Sequence, residues 1–79
     1  MKARVTVTLK TGVLDPQGKA IVGALDALAF NGVQSVRQGK VFDIVIDDLP
    51  MEEAKKQLAA MCEQLLANTV IENYHIDIL

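Results

Sequence analysis

The sequence predicts an α+β fold, a two-layer sandwich of order β-α-β-β-α-β with two helices on one face of a four-stranded antiparallel sheet. Three observations predict it. Apolar residues recur at every second position near both ends of the chain and in its middle. Between those runs, apolar residues recur with a 3.6-residue period. Asn31-Gly32 and Gln38-Gly39 punctuate the joins.

Ala3, Val5, Val7 and Leu9 alternate with Arg4, Thr6, Thr8 and Lys10, so the first strand has one apolar face. Asp15 suits a helix N-cap and Pro16 the first helical position, where proline's missing N–H leaves no bond unmade. Ile21, Ala24, Leu25 and Leu28 follow helical spacing, and Asn31-Gly32 stops it. Val33 to Arg37 reads as a short second strand. Gln38-Gly39 would turn it in a hairpin, with Gly39 in the left-handed position, onto a third strand built on Phe42, Ile44 and Ile46. Pro50, Glu52 and Glu53 open a second helix whose stripe is Ala54, Leu58, Met61, Cys62 and Leu65, with Asn68 able to end it. Tyr74, Ile76 and Ile78 alternate with His75 and Asp77 in a final strand.

No linker, repeat or low-complexity tract divides residues 1–79, which read as one domain. The chain is 51% hydrophobic but only 4% aromatic, so its core must be aliphatic. A small domain this apolar is expected to self-associate, and the sheet face left free by the helices, with Thr6, Thr8, Val41 and Val45, suggests a homodimer formed face to face or edge to edge. Net charge is −2 with basic residues scattered, which argues against a nucleic-acid or anionic-membrane surface. MKARVTVTLK has no long apolar core of a leader, and no run approaches a membrane span, so the expectation is a soluble, cytoplasmic protein.

Candidate chemistry is sparse. The single cysteine, Cys62, falls on an apolar helical face, where a buried hydrophobe is expected and a nucleophile is not. The single histidine, His75, alternates to the polar side of its strand, with no second histidine or cysteine at metal-ligand spacing. Ser35 lacks a nucleophile-elbow context. The acids Asp43, Asp47, Asp48, Glu52 and Glu53 occupy solvated places. Gly12 and Gly18 bracket a helix start, where anions can bind, yet Asp15 already caps it and the spacing matches no P-loop or dinucleotide motif. An acylphosphatase-like domain would need an arginine after strand one, and an RNA-recognition domain would need stacking aromatics on its central strands. Neither requirement is met. No catalytic, cofactor-binding or metal-binding residue is expected.

Turn chemistry accounts for Gly12, Asp15 and Pro16 but does not ask for Lys10, Gln17 or Gly18. Those extras belong to VTVTLKTGVLDPQGKAIVGAL (Val5 to Leu25), which joins VRQGK (Val36 to Lys40) and CEQLLANTVIENYHI (Cys62 to Ile76). The combination of LK-x-GVLDPQG, VR-x-GK and LLAN-x-VIE-x-Y resembles the PurS family, the small subunit of bacterial and archaeal phosphoribosylformylglycinamidine synthase. The likeness covers nearly the whole length. The chain departs from the family pattern at Ala29, where many relatives have glycine, and at Thr69, where they have proline.

The resemblance implies a non-catalytic accessory subunit in purine biosynthesis. Its partners are a glutaminase subunit, which releases ammonia, and a large synthetase subunit, which forms the amidine. ATP, magnesium and glutamine are used by those partners and not by this chain. The small subunit is expected to bridge the other two, to help ammonia pass, and to form homodimers that can pair into tetramers. The implied partner-interface residues are Lys10, Gly12, Asp15, Gln17 and Gly18 from the first motif, Arg37, Gly39 and Lys40 from the second, and Asn68, Glu72 and Tyr74 from the third. Lys10, Gln17, Arg37, Lys40 and Glu72 are the stronger candidates, because the fold alone does not call for them. The alternative is a regulatory domain of the same topology that binds a small ligand and acts as a homodimer.

Overall fold

A computed structural model describes residues 1–79. The elements are β1 (Lys2–Leu9), α1 (Pro16–Ala27), β2 (Gly39–Val45), α2 (Met51–Met61), a π-helical turn (Cys62–Leu66) and β3 (Glu72–Ile78). The fold class is α+β, but the sheet has three strands in the order β2-β1-β3, all antiparallel, and not four.

Alternation makes β1 the centre of the molecule. Ala3, Val5 and Val7 are buried, while Lys2, Arg4 and Thr8 point to solvent. Val5 sits between Phe42 of β2 and Ile76 of β3, so apolar side chains of all three strands share one face. Onto that face α2 lowers Ala54, Leu58 and, at the next turn, Cys62, each fully buried. The chain then widens: Ala67 donates its N–H to the Cys62 carbonyl at 3.0 Å, a five-residue step. The widened turn lets both Cys62 and Ala67 enter the core with Val5 and Val7.

The opposite face is polar. It presents Arg4, Thr6 and Thr8 beside Asp43, Val41 and Gly39, and Asp77, His75 and Asn73 on the far strand. Arg4 donates to Asp43 at 2.8 Å, and His75 pairs with Asp77 at 3.0 Å, both exposed. Arg4–Asp43 bridges two strands and His75–Asp77 lies within one, while Val41 and Val45 stand exposed on the same face.

The predicted second strand is the main departure. Residues 33–38 pair with no strand, and no turn separates them from β2. Gly39 does not take the left-handed conformation that a hairpin would need. Two contacts explain why. A methyl group at Gly39 would lie 2.7 Å from the Val7 carbonyl oxygen, so this glycine is pressed flat against β1. The N–H of Gln38 is held by the Asp15 carboxylate at 2.8 Å, which ties residues 33–38 to α1 and away from the edge of β2.

No residue of α1 enters the core, and Gly18 is its only buried position. The molecule is therefore long, with extents of 49 × 24 × 15 Å and a radius of gyration of 16.1 Å, against about 12 Å for a compact chain of this length. The helix itself ends earlier than Asn31-Gly32: Leu28 caps it, and Ala29 adopts a left-handed φ of 69° before Gly32 takes 91°.

Candidate functional site

Where β1 ends, Lys10 begins the segment that connects the three motifs. Its N–H donates to the Ile71 carbonyl at 2.9 Å, and its own carbonyl accepts from Val13 at 3.1 Å, closing a turn through Gly12 at φ 88°. Arg37 reaches across 27 residues to the same turn. Its guanidinium donates to the carbonyls of Lys10 at 3.1 Å and Val13 at 2.9 Å. One rigid fork thus clasps both ends of the turn, adding a second donor to the Lys10 carbonyl and supplying one to that of Val13.

Asp15 acts in two directions. One carboxylate oxygen caps α1 by accepting from the Gly18 N–H at 2.9 Å, and the other accepts from Gln38 at 2.8 Å. The residue is only 6% exposed. The hydrogen bond from Gln38 and then that from Gly18 hold its carboxyl below the ordinary carboxylate range. Gly18 lies directly against the Val36 backbone, where any side chain would collide with the carbonyl oxygen of Val36. The first two motifs therefore interlock around Asp15, Gly18 and Arg37.

The third motif shapes the neighbouring corner. The Asn68 N–H donates to the Glu72 carboxylate at 2.6 Å, the Glu72 N–H returns to the Asn68 carbonyl at 2.7 Å, and the Asn68 side chain accepts from Val70 at 3.2 Å. The Tyr74 hydroxyl donates to Glu63 at 3.1 Å, which keeps the phenol protonated to higher pH than usual. Lys10, Glu63, Glu72 and Tyr74 line one polar hollow of about 360 Å³. A second hollow, of about 490 Å³, separates α1 from residues 34–37 and is lined by Leu14, Val22 and Val36 together with Asp15, Gly18 and Arg37.

The structure brings Lys10, Gly12, Asp15, Gly18 and Arg37 together through direct contacts, with Asn68, Glu72 and Tyr74 adjoining through Lys10. Gly39 adjoins them through its contact with β1. Gln17 and Lys40 stand apart, exposed and without a side-chain hydrogen bond. Arg37 and Gly18 have structural work within the fold, through backbone carbonyls that no sequence pattern displays. Glu63 was missed, although it stands in the third motif's stretch, because its role depends on the π-helical turn that carries it toward Tyr74. Cys62 is buried, and burial pushes its thiol up, with Glu63 adding to the shift. No three of the His, Cys, Asp and Glu side chains converge to hold a metal ion. No helix is long and apolar enough to cross a membrane.

The interlocked motifs lie within a match to one family model, PurS, phosphoribosylformylglycinamidine (FGAM) synthase, over residues 2–79. The chain belongs to the PurS family. Among curated PurS subunits it is 49% identical to that of Archaeoglobus fulgidus over 76 residues, covering 96% of this chain and 95% of the relative. It is 47% identical to that of Synechocystis over 75 residues, covering 95% and 75%. The crystal structure of Methanocaldococcus jannaschii PurS, a subunit of formylglycinamide ribonucleotide amidotransferase in purine biosynthesis, superposes with a TM-score of 0.86 at 43% identity, covering 96% of this chain and 92% of that one. A chain of the PurLQS structure from Thermotoga maritima superposes with a TM-score of 0.87 at 29% identity, covering 99% and 95%.

Proposed function

We propose that this PurS-family chain is a non-catalytic subunit of phosphoribosylformylglycinamidine synthase in purine biosynthesis, joining a glutaminase subunit to an ATP-dependent synthetase subunit in the cytoplasm. The observation that carries the reading is the near-complete superposition on a chain of the PurLQS structure. The chain's own chemistry supports it. Asp15 is engaged in capping, the Cys62 thiol is sealed in the core, and His75 lies exposed on an open sheet face beside Asp77. Such groups can hold a shape, but they do not assemble acid, base and nucleophile around a substrate.

In this reading ATP, magnesium and glutamine are bound by the partner subunits, ammonia passes between them with help from this one, and the subunit acts as a homodimer that can pair into a tetramer. Lys40 and Gln17, exposed and unused by the fold, are its first partner contacts. Reconstitution tests it: glutamine-dependent amidine formation by the two larger subunits should require this chain, and the three should co-elute. Undiminished glutamine-dependent turnover in its absence would sink the proposal.

One observation favours a second reading, a regulatory ligand domain. The hollow beside α1, at about 490 Å³, falls in the range of small-molecule sites. Calorimetry of the isolated protein with amino acids and nucleotides separates the two, since a bridging subunit binds neither tightly.

A further inference from the structure

Three residues beyond Cys62, Leu65 continues the spacing of the buried stripe of α2, yet it is 83% exposed. The π-helical turn is the cause. Its wide step, from the Ala67 N–H to the Cys62 carbonyl, delivers Leu66 and Ala67 to the core and turns Leu65 outward. Val70 repeats the pattern nearby. It sits in the turn at residues 69–71 and is 81% exposed, although turns favour glycine and small polar residues over a β-branched one. These are the two most exposed large hydrophobic residues of the molecule, and packing explains neither.

Leu65 lies two residues after Glu63 and Val70 beside Thr69, and both of those neighbours line the polar hollow of about 360 Å³. Two carboxylates and one ammonium share that hollow. Glu63 accepts from the Tyr74 hydroxyl and Glu72 from the Asn68 N–H, each through one oxygen, so each keeps a second oxygen unbonded. Lys10 forms an ion pair with neither. The hollow thus carries an acidic surplus that a cation would complete. Its frame is braced: Asn68 holds the N–H groups of Val70, Ile71 and Glu72, and the Ile71 carbonyl in turn accepts from Lys10. A braced corner with two bare apolar residues and a charged centre is organised before any partner arrives.

We propose that this corner docks a subunit of different sequence, which sets a lysine or arginine into the hollow and apolar side chains against Leu65 and Val70. A second copy fits poorly. An isologous contact would bring Glu63 and Glu72 of one chain onto the same pair of the other, opposing like charges. The corner also stands on the β3 side of the sheet, and it uses neither the free edge of β2 nor the arm formed by α1 and residues 33–38. The docking rests on the partnership with larger subunits proposed above, and gives that partnership a place and a chemistry.

Calorimetric titration of the two larger subunits with the full chain and its variants tests it. Leu65→Asp and Val70→Asp should each weaken binding about tenfold or more, the loss expected of a central apolar contact. Denaturant titration should show both variants as stable as wild type, since neither side chain is buried. Glu63→Gln keeps an acceptor for the Tyr74 hydroxyl, and should weaken binding and make it less sensitive to salt. Wild-type binding by all three variants overturns the docking corner while the partnership stands. A changed mass of the isolated chain on sedimentation, in Leu65→Asp or Val70→Asp, puts a second copy at the corner and overturns the proposal too. If wild type binds neither larger subunit, the partnership falls and the docking with it.

Discussion

The backbone N–H of Gln38 donates to the carboxylate of Asp15 at 2.8 Å, joining the start of α1 to the start of β2 across 23 residues. The same carboxylate caps α1 through Gly18 at 2.9 Å. One side chain therefore decides both where the helix begins and where the arm is fastened. Asp15→Ala should free the amides of Gly18 and Gln38 to exchange hydrogen rapidly while those of β1 stay protected, which amide-exchange spectra resolve.

The same carboxylate makes the arm sensitive to acid. Its pKa is lowered in the folded state, first by the bond from Gln38 and then by that from Gly18. A depressed carboxylate contributes stability above its unfolded value, about 4, and that contribution disappears as pH falls through the folded value. Exchange protection of Gln38 should hold from neutral pH down to about pH 4 and fall below it; in Asp15→Asn that decline should be absent.

Gly18 permits contact between α1 and the Val36 backbone that no other residue can make. Gly18→Ala should destabilise the arm by about 1–3 kcal/mol, the usual range for forced overpacking. A Gly18→Ala variant as stable as wild type in urea titration would show that the contact is looser than the geometry implies.

Ala29 adopts a left-handed φ of 69°, a conformation that glycine takes at no steric cost. Left-handed backbone costs an L-residue about 1–2 kcal/mol, and glycine's extra unfolded-state freedom offsets part of that gain. Ala29→Gly should raise stability by roughly 0.5–1 kcal/mol. A lower melting temperature for that variant would contradict the strain.

Leu58 is the largest fully buried side chain of the molecule. Leu58→Ala should cost about 2–5 kcal/mol in denaturant titration. Cys62, one turn further and also fully buried, should react with thiol reagents at the rate of unfolding and much faster in the Leu58→Ala background.

Lys40 and Arg37 belong to one motif but do different work. Arg37 is held by the carbonyls of Lys10 and Val13, so Arg37→Ala should loosen the turn through Gly12. Lys40 is exposed, and its side chain makes no hydrogen bond within the chain. Lys40→Ala should leave stability within about 0.5 kcal/mol of wild type while weakening co-elution with the larger subunits. Equal loss of stability in both variants would refute the distinction.

Much of this was legible in the residues. The alternation of Ala3, Val5 and Val7 marked β1, Asp15-Pro16 marked the start of α1, and the stripe through Ala54, Leu58 and Cys62 marked the buried side of α2. These are local signals, set by a period or a cap within a few residues. Gly39 was misjudged for a physical reason. A glycine serves equally as a turn residue and as a point of close backbone approach, and only the position of Val7 distinguishes the two. The structural role of Arg37 and the involvement of Glu63 are hidden for a similar reason, since their partners are backbone carbonyls and a phenol brought near by the fold.

Sequence by itself determined the family, the strand and helix periods and the capping of α1, because each depends on residue type and short spacing. Tertiary structure alone decided that the sheet stops at three strands and that α1 stands out from it. That outcome depends on a bond spanning 23 residues, from Gln38 to Asp15, competing with a turn two residues long. Local pattern describes the turn well and carries no trace of the bond.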